Sequence, residues 1–122
     1  MKVAILGASA RPDRYAHKAQ LALVAAGHGV FPISRGGDEI LGAIGYSQLS
    51  EIPAECRPID TVTVYLRPEL LLPLVEEIRE LAPRRLLLNP GTEHPDLDAA
   101  LEGSGIELVE ACTLVLLQLR TF

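Results

Sequence analysis

The chain has 122 residues, the length of one typical domain, and we predict a single domain over residues 1–122. The 48% hydrophobic and 22% charged residues are typical of a globular protein and exclude disorder, collagen-like structure and long coiled coils. The 11 basic and 16 acidic residues give a net charge of −5, and 4% of residues are aromatic. This balance argues against a nucleic-acid binder but allows a local basic pocket for a phosphorylated small molecule.

The N-terminal part predicts a buried strand followed by a helix. Residues 3–6 are continuously apolar and end at Gly7, which is typical of a strand buried on both faces. From Tyr15 the apolar residues recur at helical spacing, with Asp13 as the candidate N-cap and Gly27 as the stop. The intervening loop contains Gly, Ser and Pro.

The same alternation continues to the end of the chain. Short apolar or β-branched runs predict further strands at residues 30–33, 61–65, 86–88 and 106–109. Helical spacing predicts a helix over residues 74–82 with Pro73 in its first turn, a shorter one over 97–101, and one turn at 47–51. Residues 114–117 fit a helix or a strand equally well. We therefore expect an α/β fold, with about five mostly parallel strands covered by helices on both faces.

Ligands of such sheets bind outside the carboxyl ends of the strands. That rule selects five loops, at residues 7–14, 34–38, 66–68, 89–93 and 110–113. The first loop precedes a helix, so its free N–H groups and the helix dipole favour an anion. It departs from the G-x-G-x-x-G pattern, since Ser9 and Pro12 occupy the later glycine positions. Ser9 can still donate to a phosphate, and Arg11 and Arg14 supply positive charge.

The second loop bears on the type of nucleotide. NAD-binding domains place an acidic residue at the end of the second strand, to hold the ribose hydroxyls. This chain has Ser34 and Arg35 there, and a cation favours an adenosine with an extra phosphate, as in NADP or coenzyme A. A plain surface arginine beside a glycine turn is the equally weighted alternative.

No catalytic or metal-binding constellation is predicted. His17, His28 and His94 lack metal-ligand spacing and are interpreted as surface histidines. Neither a G-x-S-x-G elbow nor a P-loop is present. Cys56 and Cys112 are too few for a disulfide framework. Cys112 follows the last strand, where a ligand could reach it, although a packed, inert thiol is the favoured interpretation.

The order and spacing of several segments resemble the single-domain CoA-binding proteins. Their Rossmann-like domain is shared with the succinyl-CoA synthetase alpha subunit. The resemblance covers essentially the whole chain. It rests on residues 3–9 leading into Arg11-Pro12-Asp13-Arg14-Tyr15, on Glu39-Ile40-Leu41-Gly42 with Tyr46-Ser47, on 50–53, on Ile59-Asp60, on Arg67-Pro68-Glu69 and on Glu110-Ala111-Cys112. It implies a Rossmann-like three-layer fold that binds coenzyme A.

The resemblance also assigns the parts of the ligand to loops. It places the CoA pyrophosphate at Ala8, Ser9 and Arg14, the phosphorylated adenosine at Ser34 and Arg35, and the flank of the nucleotide at residues 66–68. The pantetheine arm is expected at the later loops. The full set of candidate CoA-binding residues is Gly7, Ala8, Ser9, Arg11, Arg14, Ser34, Arg35, Ile40, Leu66, Arg67, Pro68, Asn89, Gly91 and Cys112.

The sequence thus predicts a module that binds CoA or acyl-CoA through the 3'-phospho-ADP moiety, without catalytic residues of its own. Two alternatives stay open, namely an NADP-dependent small oxidoreductase and a non-catalytic subunit that uses the fold to bind protein. A homo-oligomer is a further open point. Because no signal peptide or membrane-spanning run is visible, we expect a cytoplasmic location with reduced thiols.

Overall fold

A computed structural model describes residues 1–122 and contains one five-stranded sheet in which every neighbouring pair is parallel. The strands are β1 (Lys2–Leu6), β2 (Gly29–Ile33), β3 (Thr61–Val64), β4 (Arg85–Leu88) and β5 (Glu107–Glu110). They lie in the order β2-β1-β3-β4-β5. In the register, Val3 lies between Val30 and Thr61. The α/β architecture with a parallel five-stranded sheet is therefore confirmed.

Helices cover both faces of this sheet. They are α1 (Tyr15–Ala25), α2 (Pro68–Leu71), α3 (Val75–Leu81), α4 (Leu97–Ala100) and α5 (Thr113–Gln118), with short 3₁₀ turns at Leu49–Glu51, Ala54–Cys56 and Leu72–Leu74. Helices α1 and α5 pack beside each other on one face. Helices α2, α3 and α4 contribute to the core cluster on the other face. None of the helices is long and apolar enough to cross a lipid bilayer.

Strand β1 shows why the strands of this sheet are continuous apolar runs in the sequence. Val3 and Ile5 pack in the cluster that includes α1, while Ala4 and Leu6 belong to the larger cluster on the opposite face. Successive side chains of a strand point to opposite faces, so a strand covered on both sides has no polar face. All four of these residues are at most 3% exposed.

Three details of the helices differ from the sequence-based expectations. The N-cap of α1 is Arg14 rather than Asp13, and no side chain caps this helix end. Pro68 begins a helix, where it takes the first-turn position that needs no N–H donor, so the helical segment starts before residue 74. Residues 114–117, which the pattern left undecided, lie within α5.

Strand β1 lies inside the sheet, with β2 on one side of it and β3, β4 and β5 on the other. The chain moves from β1 to β2 on one side, then returns past β1 to β3 and continues outward. The sheet order therefore reverses between β1 and β3, and the loops that leave these strands diverge there. In doubly wound sheets this divergence opens a crevice at the carboxyl ends of the strands, where ligands bind.

Candidate functional site

Three adjoining cavities line the carboxyl edge of the sheet. The central cavity, of about 540 Å³, is formed by the loop after β1, the start of α1 and Tyr65. The β2-side cavity, of about 610 Å³, shares Gly7 with it and extends along the ends of β2 and β3. The α5-side cavity, of about 290 Å³, shares Tyr15 and Tyr65 with the central cavity and reaches Cys112. The shared residues show that the three cavities lie side by side in one band along this edge.

Gly7 is the point where the first two cavities meet, and its backbone requires glycine. Its φ is +93°, and a Cβ there would lie 3.0 Å from the backbone carbon and oxygen of Tyr65. A larger residue would be strained by the positive φ and pressed against backbone that cannot rotate away. The N–H groups of Gly7 and Ala8 both donate to the carbonyl of Ile33, which ties the loop to β2.

Beyond Ala8, the loop presents backbone donors that the protein itself does not use. The N–H groups of Ser9, Ala10, Tyr15 and Ala16 donate to no carbonyl or side chain in the chain. Tyr15 and Ala16 open α1, so their N–H groups lie at the positive end of an eleven-residue helix. The Ser9 hydroxyl accepts a hydrogen bond from the Arg11 N–H at 3.1 Å, which fixes the loop conformation. This arrangement is suited to an anion with several acceptor oxygens.

Two arginines add positive charge to the central cavity. Arg11 and Arg14 both line it and are exposed to solvent. Arg11 approaches Asp13 at 3.6 Å, a surface pair that solvent screens strongly. Arg14 forms no ion pair within the chain. Asp13 also lines this cavity, so two arginines against one aspartate leave a small local excess of positive charge in a protein whose net charge is −5.

The β2-side cavity combines a cation and hydroxyls with an apolar wall. Ser34 and Arg35 follow β2 directly, and Ser47 and Gln48 lie beside them. Arg35 is exposed and forms no ion pair. The opposite wall is made of aliphatic side chains from the end of β3 and the helical segment after it, namely Leu66, Leu70 and Leu74. A flat aromatic group with a charged substituent matches this division of polar and apolar walls.

Tyr65 separates the central cavity from the α5-side cavity. Burial raises the pKa of its phenol, so the side chain is neutral at physiological pH. The α5-side cavity is mostly apolar, and its other walls come from Pro90, Cys112 and Leu114. It is suited to an uncharged, partly apolar chain that leaves the central cavity.

Asn89 lies at the wall of the α5-side cavity, yet its polar atoms face the protein. Its Nδ2 donates to Thr63 Oγ1 at 2.7 Å and to the Val64 carbonyl at 2.8 Å. Its Oδ1 accepts from the Thr113 N–H at 2.9 Å. The side chain is 3% exposed and thus joins β3, β4 and the start of α5. Its side-chain N–H groups are both used, so the structure gives it a scaffolding role.

The remaining candidate residues are divided between cavity walls and scaffold. The walls include Gly7, Ala8, Ser9, Arg11, Arg14, Ser34, Arg35, Leu66, Asn89 and Cys112. Ile40, Arg67, Pro68 and Gly91 line none of the three cavities. Ile40 is 3% exposed and belongs to the core beneath α1. Arg67 pairs with Glu69 on the surface at 3.4 Å, Pro68 starts α2, and Gly91 donates its N–H to the Glu93 carboxylate.

The sequence reasoning missed several cavity residues and misplaced one histidine. Tyr15, Tyr65, Ser47, Gln48 and Leu114 line cavities but were not selected. The signal for Tyr65 was available, because it immediately follows a predicted strand. His17, interpreted as a surface residue, is 8% exposed and packed on the inner side of α1. The long segment after β2 covers this helix, which periodicity alone does not reveal.

Fold and site together define a doubly wound α/β domain with an amide-rich, cationic loop at its switch point. Comparison with protein families gives the particular assignment. The sequence model of the CoA binding domain matches residues 1–118, and the chain belongs to this family. The resemblance drawn from the sequence is therefore confirmed, and membership supports coenzyme A binding in general.

Individual relatives agree with this family. The uncharacterized protein YneT of Bacillus subtilis (strain 168) is 39% identical over 79 residues, which are 65% of this chain and 56% of that protein. The match spans little more than half of that relative's length. A crystal structure of an uncharacterized protein is 38% identical, with a TM-score of 0.85, and the match covers 99% of this chain and 97% of the other.

Larger enzymes contain the same fold as one part. Acetyl-coenzyme A synthetase 1 of Ca. Korarchaeum cryptofilum, in complex with phosphate and ADP, matches with a TM-score of 0.75 and 19% identity. The match covers 88% of this chain and 25% of the synthetase chain. At this identity the likeness shows the fold alone.

Proposed function

We propose that the chain binds coenzyme A or an acyl-CoA through its 3'-phospho-ADP moiety. The observation that carries the proposal is the order of the three adjoining cavities across the switch point: one with an apolar wall and Arg35, one with free backbone N–H groups and two arginines, and one that is mostly apolar. Coenzyme A has the same order of chemistry along its length, from phosphorylated adenosine through pyrophosphate to the pantetheine arm.

The pyrophosphate is assigned to the central cavity. The unused N–H groups of Ser9, Ala10, Tyr15 and Ala16 supply donors, and the start of α1 supplies the favourable dipole. Arg14 adds a positive charge and takes part in no ion pair within the chain. Together these groups would hold the two phosphates of the pyrophosphate.

The adenosine is assigned to the β2-side cavity. Its adenine ring would pack against Leu66, Leu70 and Leu74, and its 3'-phosphate would face Arg35. A hydrogen bond between a guanidinium and a phosphate is charge-assisted and contributes about 1.5–3 kcal/mol. The pantetheine arm would then pass Tyr65 into the α5-side cavity.

The experiment compares CoA with dephospho-CoA by calorimetry. Arg35→Ala should weaken CoA binding by about ten- to a hundredfold and leave dephospho-CoA almost unchanged, because only CoA carries the 3'-phosphate. Ser9→Glu should abolish binding of both ligands through charge repulsion at the pyrophosphate. Arg120→Ala, which removes an exposed arginine outside the cavities, is the matched control and should change neither affinity. Equal losses for both ligands in Arg35→Ala would contradict the assignment of the 3'-phosphate.

NADP is the second candidate ligand, because Arg35 stands where NAD-binding domains place an acidic residue. A thermal-shift series with CoA, acetyl-CoA, dephospho-CoA, NADP and NAD distinguishes the two. A ligand at about 100 times its dissociation constant stabilises the fold by about 2.7 kcal/mol, which corresponds to roughly 10 °C for a chain of this length. A shift with NADP and none with CoA would reverse the assignment, and no shift with any ligand would overturn both.

A further inference from the structure

The segment after β2 contains a tight and strained turn between Ile40 and Ala43. These two residues exchange both backbone hydrogen bonds, at 3.1 Å and 2.9 Å. The two residues between them have positive φ, 52° at Leu41 and 80° at Gly42, which is the backbone pattern of a type I′ turn. Glycine adopts this conformation freely, but leucine is strained there. Strained backbone persists where surrounding contacts hold it, and it is concentrated at functional segments.

A buried glutamine from α1 locks this turn. The Nε2 of Gln20 donates to the Ile40 carbonyl at 2.8 Å, and the same carbonyl accepts from the Ala43 N–H. Gln20 is 1% exposed and Ile40 is 3% exposed, so this bond is shielded from water. It is the one side-chain hydrogen bond between α1 and the segment after β2. A buried polar bond of this kind fixes a geometry that apolar packing alone does not specify.

The locked turn lies in the same closed loop as Arg35. One end of the loop is fixed where Ser34 donates its N–H to the Tyr46 carbonyl at 3.0 Å, and Tyr46 donates to the Pro32 carbonyl at 3.0 Å. Inside the loop, Gly45 lies so close to the Asp38 backbone that a Cβ would overlap it. Arg35 lies in a turn that the Gly37 N–H closes by donating to the Ser34 carbonyl at 3.1 Å. The middle section beyond this turn is tied to α1 by the Gln20 hydrogen bond and by the packing of Ile40 in the core cluster beneath the helix.

We propose that Gln20 is a positioning residue for nucleotide selectivity: by locking the strained Ile40–Ala43 turn to α1, it holds the loop that directs Arg35 to the ribose phosphate. The inference rests on the proposed function and deepens it. It also gives Ile40 a role other than ligand contact, because its buried carbonyl oxygen accepts the hydrogen bond from Gln20. The relevant quantity is the ratio of the dissociation constants of dephospho-CoA and CoA, because a general loss of stability lowers both affinities and leaves the ratio unchanged.

Calorimetry with both ligands tests this ratio in two pairs of variants. Gln20→Met keeps an unbranched side chain of similar size and removes the donor, and Leu97→Val on α4 weakens packing in the core cluster that does not contain Ile40. Leu41→Pro forbids the turn because proline fixes a negative φ, whereas Leu41→Gly permits it. Leu41 is 48% exposed, so both substitutions at this position leave the core intact.

We expect Gln20→Met and Leu41→Pro each to lower the ratio by about two- to tenfold, the range for one neutral hydrogen bond, while both controls retain the wild-type ratio. An unchanged ratio in both variants overturns this inference and leaves the proposed function standing. Loss of the fold in both, checked by circular dichroism, also overturns it, because the turn then serves stability alone. Failure of the wild-type protein to bind CoA overturns the proposed function and, with it, this inference.

Discussion

Replacing Asn89 with alanine should destabilise the protein strongly while leaving the ligand-binding groups in place. The side chain makes three buried hydrogen bonds, to Thr63, to the Val64 carbonyl and from the Thr113 N–H, at 2.7–2.9 Å. Alanine removes all three bonds: Thr63 Oγ1 keeps its bond to Thr113 Oγ1 at 2.8 Å, while the Thr113 N–H loses its acceptor. A neutral hydrogen bond contributes about 1 kcal/mol, so the expected loss is about 3 kcal/mol.

For a chain of 122 residues, 1 kcal/mol corresponds to about 4 °C in melting temperature, so Asn89→Ala should melt roughly 12 °C lower. Urea unfolding and thermal unfolding measure the loss. Thr63→Val is the comparison variant, because it keeps the side-chain shape and removes a hydroxyl that is hydrogen-bonded to both Asn89 Nδ2 and Thr113 Oγ1. We expect about two thirds of the effect of Asn89→Ala. At a temperature where Asn89→Ala is folded, its affinity for CoA should lie within about threefold of the wild-type value. We expect a change this small because the substitution alters the wall of the α5-side cavity only slightly.

The reasoning would be refuted by a variant with the wild-type melting temperature and a large loss of CoA affinity. That result would mean that Asn89 contacts the ligand, as the resemblance to the family implied, and that its internal hydrogen bonds contribute little. If Asn89→Ala loses both stability and CoA affinity, Thr63→Val distinguishes the two explanations, because it weakens the same junction without altering Asn89. A similar loss of CoA affinity in Thr63→Val would point to the junction, and an unchanged affinity would point to a ligand contact of Asn89.

Three further predictions concern other parts of the band and the opposite edge of the sheet. Gly7→Ala should destabilise the protein by about 1–3 kcal/mol and weaken CoA binding, because the added Cβ meets the Tyr65 backbone and φ is +93°. Saturating CoA should slow alkylation of Cys112, which lines the α5-side cavity, and leave the rate at Cys56 unchanged. The pKa of His28 is lowered, first by burial and then by the neighbouring N-terminal ammonium, so the unfolding free energy should fall as pH drops below about 6.5.

Each of these has a direct control. If Gly7→Ala leaves the free energy of unfolding in urea unchanged, the loop after β1 can move away from the Tyr65 backbone without cost, which would contradict the prediction. For the cysteine, equal protection of both thiols would indicate a general tightening of the fold rather than a ligand in the α5-side cavity. For the histidine, the sign follows from a folded-state pKa below the unfolded value: the stability is present above the unfolded pKa and lost as pH falls through the folded pKa. His28→Gln should flatten that slope, and an unaltered slope would contradict the assignment.

Much of the architecture follows from local sequence patterns. The strands are short, apolar and separated by helical spacing, and a chain that alternates in this way buries its apolar groups best in a parallel sheet with helices on both faces. The rule for carboxyl ends of strands then selected the loops that do form the three cavities. The positions of Ser9, Arg14 and Arg35 were predictable for this reason, although their contacts with a ligand stay predictions.

The surroundings of several polar side chains depend instead on contacts between distant segments. Gln20 on α1 is buried and donates to the carbonyl of Ile40, which comes twenty residues later in the chain, and His17 on the same helix is buried as well. Asn89 follows a strand as a ligand-binding residue would, yet its neighbours Thr63 and Thr113 come from distant parts of the sequence and satisfy its side chain. Residues 114–117 became helical in the context of that junction.

The sequence by itself thus determined the elements, because hydrophobic period and turn residues act over a few neighbouring positions. Only the tertiary structure decided which polar side chains face the cavities and which face other parts of the chain. The buried amide nitrogens of Gln20 and Asn89 donate to Ile40, Thr63 and Val64, which are brought within reach by the tertiary fold and not by nearness along the chain.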